Sequence, residues 1–292
     1  MDARPILIIG SQGQLGHDCL ECFARNTGDV KGIDVPDIDI GDRRQCQARL
    51  DELNPKVVIN CAAYTAVDDC ETEIEICHRV NADGPGHLAE WAATQNAYLV
   101  HISTDYVFSG EKPLFQPWLE SDEPQPVSAY GRSKLAGEET IATQGKEYAI
   151  LRTSWLYGLH GNNFLKTMHR LAADDPNREL KIVADQYGSP TWSRTLARQI
   201  EKVVDSRATG IFHATSEGYC NWYDLADSFF DLLGIQTKAV PCATQEYPTP
   251  AKRPQNSILE NQRLKDLGIN VFKDWREDLK SFAEEYKINN HD

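Results

Sequence analysis

The apolar run within residues 4–9 stops at Gly10-Ser11-Gln12-Gly13-Gln14-Leu15-Gly16, and a helical pattern then extends from Gln14 to Asn26. A short run without polar alternation suits a strand buried on both faces, the kind found in open parallel sheets. The glycine spacing gives that strand a chemistry. Gly10 permits a tight turn, Gly13 lets backbone approach a pyrophosphate, and Gly16 lets helix and strand pack closely, with the helix N-terminus facing the anion.

The segments that follow keep the alternation. A second strand over 30–33 ends at Asp34, an acid placed 24 residues after Gly10 to take the hydroxyls of an adenosine ribose. Its charge repels a 2′-phosphate, so the position leans toward NADH or toward use of both NADH and NADPH. A helix over 42–53 stops at Asn54-Pro55, and a strand over 56–61 runs into Cys61-Ala62-Ala63-Tyr64-Thr65-Ala66-Val67-Asp68. A helical stretch over 73–96, broken near Gly84-Pro85-Gly86, precedes a strand over 98–103 that ends in Thr104-Asp105-Tyr106. The proline-rich loop 113–126, with Phe115 and Trp118, reads as a packed lid over this edge. A helix over 128–143 and a strand over 148–152 follow. This order predicts an α/β fold: a doubly wound, Rossmann-type parallel sheet.

After Gly158 the alternation loosens into a smaller mixed α/β substrate domain. The expected division is 1–157 for dinucleotide binding and 158–292 mainly for substrate, with segments near 192–233 free to return to the sheet. The expected elements are helix 163–173, a loop at 174–177, strand 180–184, helix 193–205, strand 210–214, helix 222–233 and two short terminal helices.

Within helix 128–143, Tyr130 and Lys134 stand four apart and share one face. A phenol titrates near ~10. A neighbouring ammonium is expected to lower that value toward the range useful for acid–base chemistry.

Composition excludes other classes. The net charge of −14, with basic residues dispersed, argues against a nucleic-acid partner. No stretch reaches the length of a membrane span, and the N-terminus from Met1 carries no secretory signal pattern, so the chain reads as cytoplasmic. The eight cysteines include a Cys19-x-x-Cys22 pair without a second pair at zinc-site distance, and they read as free thiols.

Taken together, C-A-A-Y-T-A-V-D at 61–68, S-T-D-Y-V-F at 103–108, Y-G-x-x-K at 130–134 and R-T-S-W-x-Y at 152–157 resemble the extended short-chain dehydrogenase/reductases. G-N-N-F at 161–164, D-Q-x-G-x-P-T at 185–191 and P-T-P-A-x-R-P-x-N-S at 248–257 narrow the resemblance to the dTDP-4-dehydrorhamnose reductase family.

The resemblance implies NAD(P)H-dependent reduction of the C4 ketone of dTDP-4-dehydro-L-rhamnose, the last step of dTDP-rhamnose biosynthesis for polysaccharide. It makes Tyr130 the proton donor, Lys134 its partner and the holder of the nicotinamide ribose, and Thr104 the donor to the carbonyl oxygen. Gly10, Gln12, Gly13, Gln14, Leu15, Gly16 and Asp34 would bind the dinucleotide, Asp39 and Ile40 would border adenine, and Ala62, Ala63 and Tyr64 would line the cofactor channel. Thr65, Val67, Asp105, Tyr106, Trp155 and Asn163 would meet the sugar, together with Thr104 and Tyr130, and Arg253 would meet the diphosphate.

The family is also associated with Mg²⁺ held by carboxylates at a homodimer contact. Asp18 follows the glycine motif, but Arg194 stands where another acid is expected, so no metal site is assigned. Two alternatives stay open: reduction of the same class of ketone to a 6-deoxy-talose nucleotide, and a non-catalytic regulatory subunit like the β subunit of methionine adenosyltransferase.

Overall fold

The computed structural model describes residues 4–26, 29–175 and 177–290. Met1-Asp2-Ala3 and Pro176 of the expected 174–177 loop lie outside the described residues.

The first half alternates as β1 (Ile6–Ile9), α1 (Gln14–Asn26), β2 (Val30–Ile33), α2 (Arg43–Leu53), β3 (Val57–Asn60), α3 (Ile74–His78), α4 (Gly84–Gln95), β4 (Tyr98–Thr104), α5 (Ala129–Gln144) and β5 (Tyr148–Thr153). The second half continues with β6 (Leu156–Tyr157), α6 (Phe164–Asp174), β7 (Glu179–Val183), β8 (Tyr187–Gly188), β9 (Thr191–Trp192), α7 (Ser193–Ser206) and β10 (Gly210–His213). It closes with β11 (Cys220–Asn221), α8 (Trp222–Leu233), β12 (Lys238–Cys242), β13 (Asn256–Ser257), α9 (Gln262–Asp266) and α10 (Trp275–Asn290).

Six strands form one parallel sheet in the order β10-β5-β4-β3-β1-β2. Alternation along each strand divides its side chains between two layers. Ile6 and Ile8 of β1 join Phe23 of α1 and Leu196, Ile200 and Val203 of α7, while Leu7 and Ile9 face Leu50, Leu88, Trp91 and Ile141. Strands buried on both sides need no polar alternation, which accounts for their continuous apolar character. The chain reverses direction across the sheet between β2 and β3, on either side of β1. Ligands of such sheets bind at the carboxyl ends of the strands beside this reversal.

Side-chain caps place several boundaries. Ser128 accepts from Gly131 N–H and starts α5, Asn163 accepts from Lys166 N–H and starts α6, and Asn221 accepts from Asp224 N–H and starts α8. Asn54 and Asn96 end α2 and α4 in the left-handed conformation, with φ of 43° and 50°.

The short strands β6, β8, β9, β11 and β13 and the five-residue β12 were not expected, and two helical elements differ from expectation. Pro85 cannot donate to the carbonyl of Asn81. The backbone accordingly widens into a π-turn over Arg79–Asp83, and Gly84-Pro85 opens α4 instead of breaking a helix. This bulge serves the neighbouring loop: the Asn81 amide donates to Tyr64 O at 3.0 Å and accepts from Tyr64 N–H at 2.9 Å. The last helix is also long, with 16 residues, and buries Trp275, Leu279 and Phe282 against Phe229 of α8.

The second half is spatially divided. β10 pairs with β5 and α7 packs on α1, so 193–213 belongs to the large sheet, while α8 packs against α6, β7, β12 and α10. The proline-rich loop is pinned by Trp118, which stacks on Phe108 at 4.6 Å and donates to Asn256 O at 2.9 Å. No residue of 113–126 lines the large central cleft, and Phe115 remains 51% exposed, so the expected lid is a strap along the tail.

Candidate active site

The carboxyl ends of β1, β3, β4 and β5 open into one cavity of about 1000 Å³. On its first wall lies the glycine turn. Gly10 has φ of +78°, and a Cβ there would come within 2.6 Å of Ala62 N; a Cβ on Gly16 would overlap Gly10 O. Side chains at these positions would fill the cradle that a pyrophosphate needs, so the turn fits a dinucleotide.

The Asp34 carboxylate accepts from Gln12 N–H at 2.9 Å and Val35 N–H at 2.8 Å, which ties it to the rim of the same turn. Asp39 and Ile40 border the cavity, and Arg79 donates to Asp39 at 2.7 Å. Arg79 escaped the sequence reading because the π-turn carries it there from 40 residues along the chain. Ala62 and Ala63 line the cavity, while Gln12 and Tyr64 contribute backbone clasps instead of lining it.

Tyr130 and Lys134 both face the cavity from the first turns of α5. The Tyr130 ring is 9% exposed and meets Tyr106 edge-on at 5.6 Å. Thr104, at the end of β4, donates to Asp105 Oδ1 at 3.0 Å and hydrogen-bonds the Tyr130 phenol.

One expectation is corrected here. The Tyr130 phenol is not lowered: burial first, then Asp105, push it upward, opposed by Thr104. The lysine nitrogen is engaged on its other side, 2.7 Å from Ile102 O and 3.3 Å from His101 Nε2. Burial pulls Lys134 down to about 8, against the opposing pull of Glu138.

Burial lifts the Asp105 carboxyl to about 6, although the Ser257, Thr104 and Ser154 hydroxyls favour its charged form. Its folded value lies above the unfolded 3.8, so the folded chain holds the extra proton between these values. That contribution to stability is full below pH 3.8 and is lost as pH rises through about 6. Asp105→Asn, which cannot ionise, is therefore expected to raise the thermal midpoint more at pH 8 than at pH 5; an equal change at both would contradict the burial argument.

On the opposite wall Trp155 adopts φ of 49° and stacks face to face on Trp222 at 3.6 Å, with Phe164 tilted against Trp222 at 4.7 Å. Gly188 makes room for the Trp155 indole, which a Cβ there would overlap. Trp222 and Phe164 both line the cavity. Phe164 closes the G-N-N-F motif but was not named as a site residue, and Trp222 opens a helix without a local motif.

Thr65, Val67, Asp105 and Tyr106 also line the cavity. Asn163 does not: its side chain caps α6 and donates to Gln14 Oε1 and Gly158 O, both at 2.8 Å. Arg253 reaches the cavity with its guanidinium 2.8 Å from Asp68, whose carboxyl is held down by hydrogen bonds from Ala251 N–H and Arg253.

The carboxylates at the other end of α1 do not fit Mg²⁺. Arg194 stands among Asp18, Glu21 and Glu285 and pairs with all three, while Asp18 also takes the Ser193 hydroxyl. A fixed guanidinium occupies the place where a divalent cation needs oxygen ligands.

The parallel sheet, the glycine cradle and the Tyr130–Lys134 face in one cavity define an oxidoreductase of the extended short-chain dehydrogenase/reductase class. The model of the RmlD substrate binding domain family matches residues 4–288, and the chain belongs to that family. It is 40% identical over 280 residues to a dTDP-4-dehydrorhamnose reductase of Mycolicibacterium smegmatis, covering 95% of this chain and 84% of that protein. A crystal structure of a Clostridium acetobutylicum dTDP-4-dehydrorhamnose reductase superposes with a TM-score of 0.93 at 44% identity, covering 97% of this chain and 99% of that one. The Bacillus anthracis enzyme of the same name, solved with NADP, superposes with a TM-score of 0.93 at 36% identity over the same shares of the two chains.

Proposed function

We propose that this protein reduces the C4 ketone of dTDP-4-dehydro-L-rhamnose to dTDP-L-rhamnose. The observation that carries the reading is one cavity holding a dinucleotide cradle, a buried phenol beside a threonine hydroxyl, and an arginine at the far rim. A nicotinamide dinucleotide supplies the hydride when bound. Residues 1–157, with 193–213 returning to the sheet, form its binding half, and much of the remaining chain forms the sugar side.

Tyr130 Oη gives its proton to the ketone oxygen, and Thr104 Oγ1 donates a hydrogen bond to that oxygen as negative charge builds. Burial keeps the phenol protonated through neutral pH, so the donor is loaded before the reaction. Lys134 faces the same cavity and is the group placed to hold a ribose hydroxyl near Tyr130. The stacked Trp155–Trp222 pair offers a flat apolar wall to the deoxysugar, and Asp105 with its neighbouring hydroxyls offers polar partners to the sugar hydroxyls. Arg253, held by Asp68 and by Ala251 O, takes the substrate diphosphate with its remaining N–H groups.

Incubation with dTDP-4-dehydro-L-rhamnose and reduced nicotinamide tests the reading. Consumption of cofactor with a product of rhamno configuration at C4 supports it. A talo product would move the assignment to the epimeric reductase, and no turnover with either cofactor would remove the enzymatic reading.

Asp34 governs the choice of cofactor. Replacing it by serine removes a carboxylate that repels a 2′-phosphate, while Arg79 remains nearby. The ratio of kcat/KM for NADPH over NADH is expected to rise about tenfold or more in Asp34→Ser. An unchanged ratio in steady-state assays would place the 2′-position elsewhere.

A further inference from the structure

Behind the reactive face, Asn60, His101 and Lys134 form a single file of side chains no more than 1% exposed. Its hydrogen-bond direction is decided at one end. The Ala62 backbone N–H can only donate, so the atom it meets at 3.1 Å is Asn60 Oδ1. The other amide atom, Asn60 Nδ2, then faces His101 Nδ1 at 3.0 Å. An amide nitrogen also only donates, so Nδ1 is a bare acceptor.

His101 is held neutral by its complete burial, which pushes it well below its ordinary value. Its one ring proton is therefore on Nε2, 3.3 Å from Lys134 Nζ. An N–H can bond only to a lone pair, which an amine has and an ammonium lacks.

We propose that Asn60 and His101 are positioning residues whose directed hydrogen bonds favour the uncharged amine of Lys134 in the ligand-free protein. The proposal deepens the reductase reading, in which Lys134 belongs to the reacting face. The remaining surroundings agree with it. Ile102 O accepts a proton that either form of the lysine can donate. Cys61 at the end of β3, Cys77 of α3 and Glu138 one turn along α5 all favour the ammonium. The Glu138 carboxylate is shared with Arg152 at 2.6 Å. Tyr130, Thr104 and Asp105 face the same cavity as the lysine, and among the described residues its nitrogen bonds only Ile102 O and His101. The chain ends at a backbone amide, which cannot ionise, so it sets a protonation state and does not conduct a proton.

The tautomer is directly measurable in the ligand-free full-length protein, whether or not the substrate assignment holds. Imidazole ¹⁵N shifts of histidine-labelled native protein are expected to show a buried neutral ring protonated on Nε2. His213 provides an internal contrast. It is also fully buried, but its Nδ1 lies 3.1 Å from Glu260 O and must carry the proton. Loss of one signal in His101→Gln assigns the pair. Two buried rings in opposite tautomers support the proposal; both protonated on Nδ1, or an imidazolium at His101, overturns it.

Asn60→Asp extends the test to function. A carboxylate accepts from both Ala62 N–H and His101 Nδ1–H, turning a bare Nε2 toward an ammonium. The alkaline limb of the kcat/KM profile is then expected to move up by about one to three pH units. A folded Asn60→Asp protein that keeps the native tautomer, or whose ring flips while the limb stays unmoved, also overturns it.

Discussion

Replacing Tyr130 by phenylalanine is expected to lower kcat by about 10²–10⁴-fold, the usual contribution of a positioned proton donor. Cofactor affinity should change little. The substitution removes one oxygen from a ring whose body packs on Cys70, Cys77 and Ala129, and the fold around it stays filled. The phenol is the group beside Thr104 in the cavity, and burial keeps its proton in place at neutral pH. A variant that binds reduced nicotinamide normally yet turns over slowly would establish the donor. If the variant kept more than a tenth of native kcat, another acid would have to deliver the proton, and Asp105, raised to about 6, would be the first to test.

The second large effect is on stability. Glu138 and Arg152 are each only 2% exposed, and the carboxylate takes Arg152 Nη2 at 2.6 Å, Arg152 Nε at 3.0 Å and the Ser103 hydroxyl. Glu138→Gln keeps the shape of the side chain but leaves a buried guanidinium without its counter-charge. The expected loss is about 3–5 kcal/mol, because an uncompensated buried charge costs far more than the pair contributes. For a chain of this size that lowers the midpoint of thermal unfolding by about 5–8 °C. The joint replacement Glu138→Leu with Arg152→Met removes both charges and should recover much of the loss. A double variant as unstable as the single one would show that shape, not charge, dominates at this position. Glu138 lies one helical turn from Lys134 and favours its ammonium, so the single variant should also lose activity at alkaline pH.

The parallel sheet, its helices and the glycine cradle were legible because their signals are local. A buried strand announces itself within a few residues, and the pair Tyr130 and Lys134 needs only one helical turn to share a face. Caps at Ser128, Asn163 and Asn221 likewise act within three residues, and the helices they start were placed within a residue or so. Asn163 shows where this local reading ends. The motif was visible, but the side chain turned out to be occupied with its own helix and with Gln14 from the first turn of α1.

Sequence alone thus determined the order of β1 to β5 and their helices, the glycine turn, and Thr104, Tyr130 and Lys134 as residues bound for one edge. Tertiary structure decided what each of them touches. Trp222 stacks on Trp155 from a helix 67 residues away, Arg253 finds Asp68 across 185 residues, and Asn60 meets His101 from a neighbouring strand while His101 meets Lys134. Such contacts carry no local period or spacing, because they arise only when the sheet order brings distant strand ends side by side. The same burial that assembles the site also pushes Tyr130 up and Lys134 down, a consequence of desolvation that no neighbour in the sequence reveals.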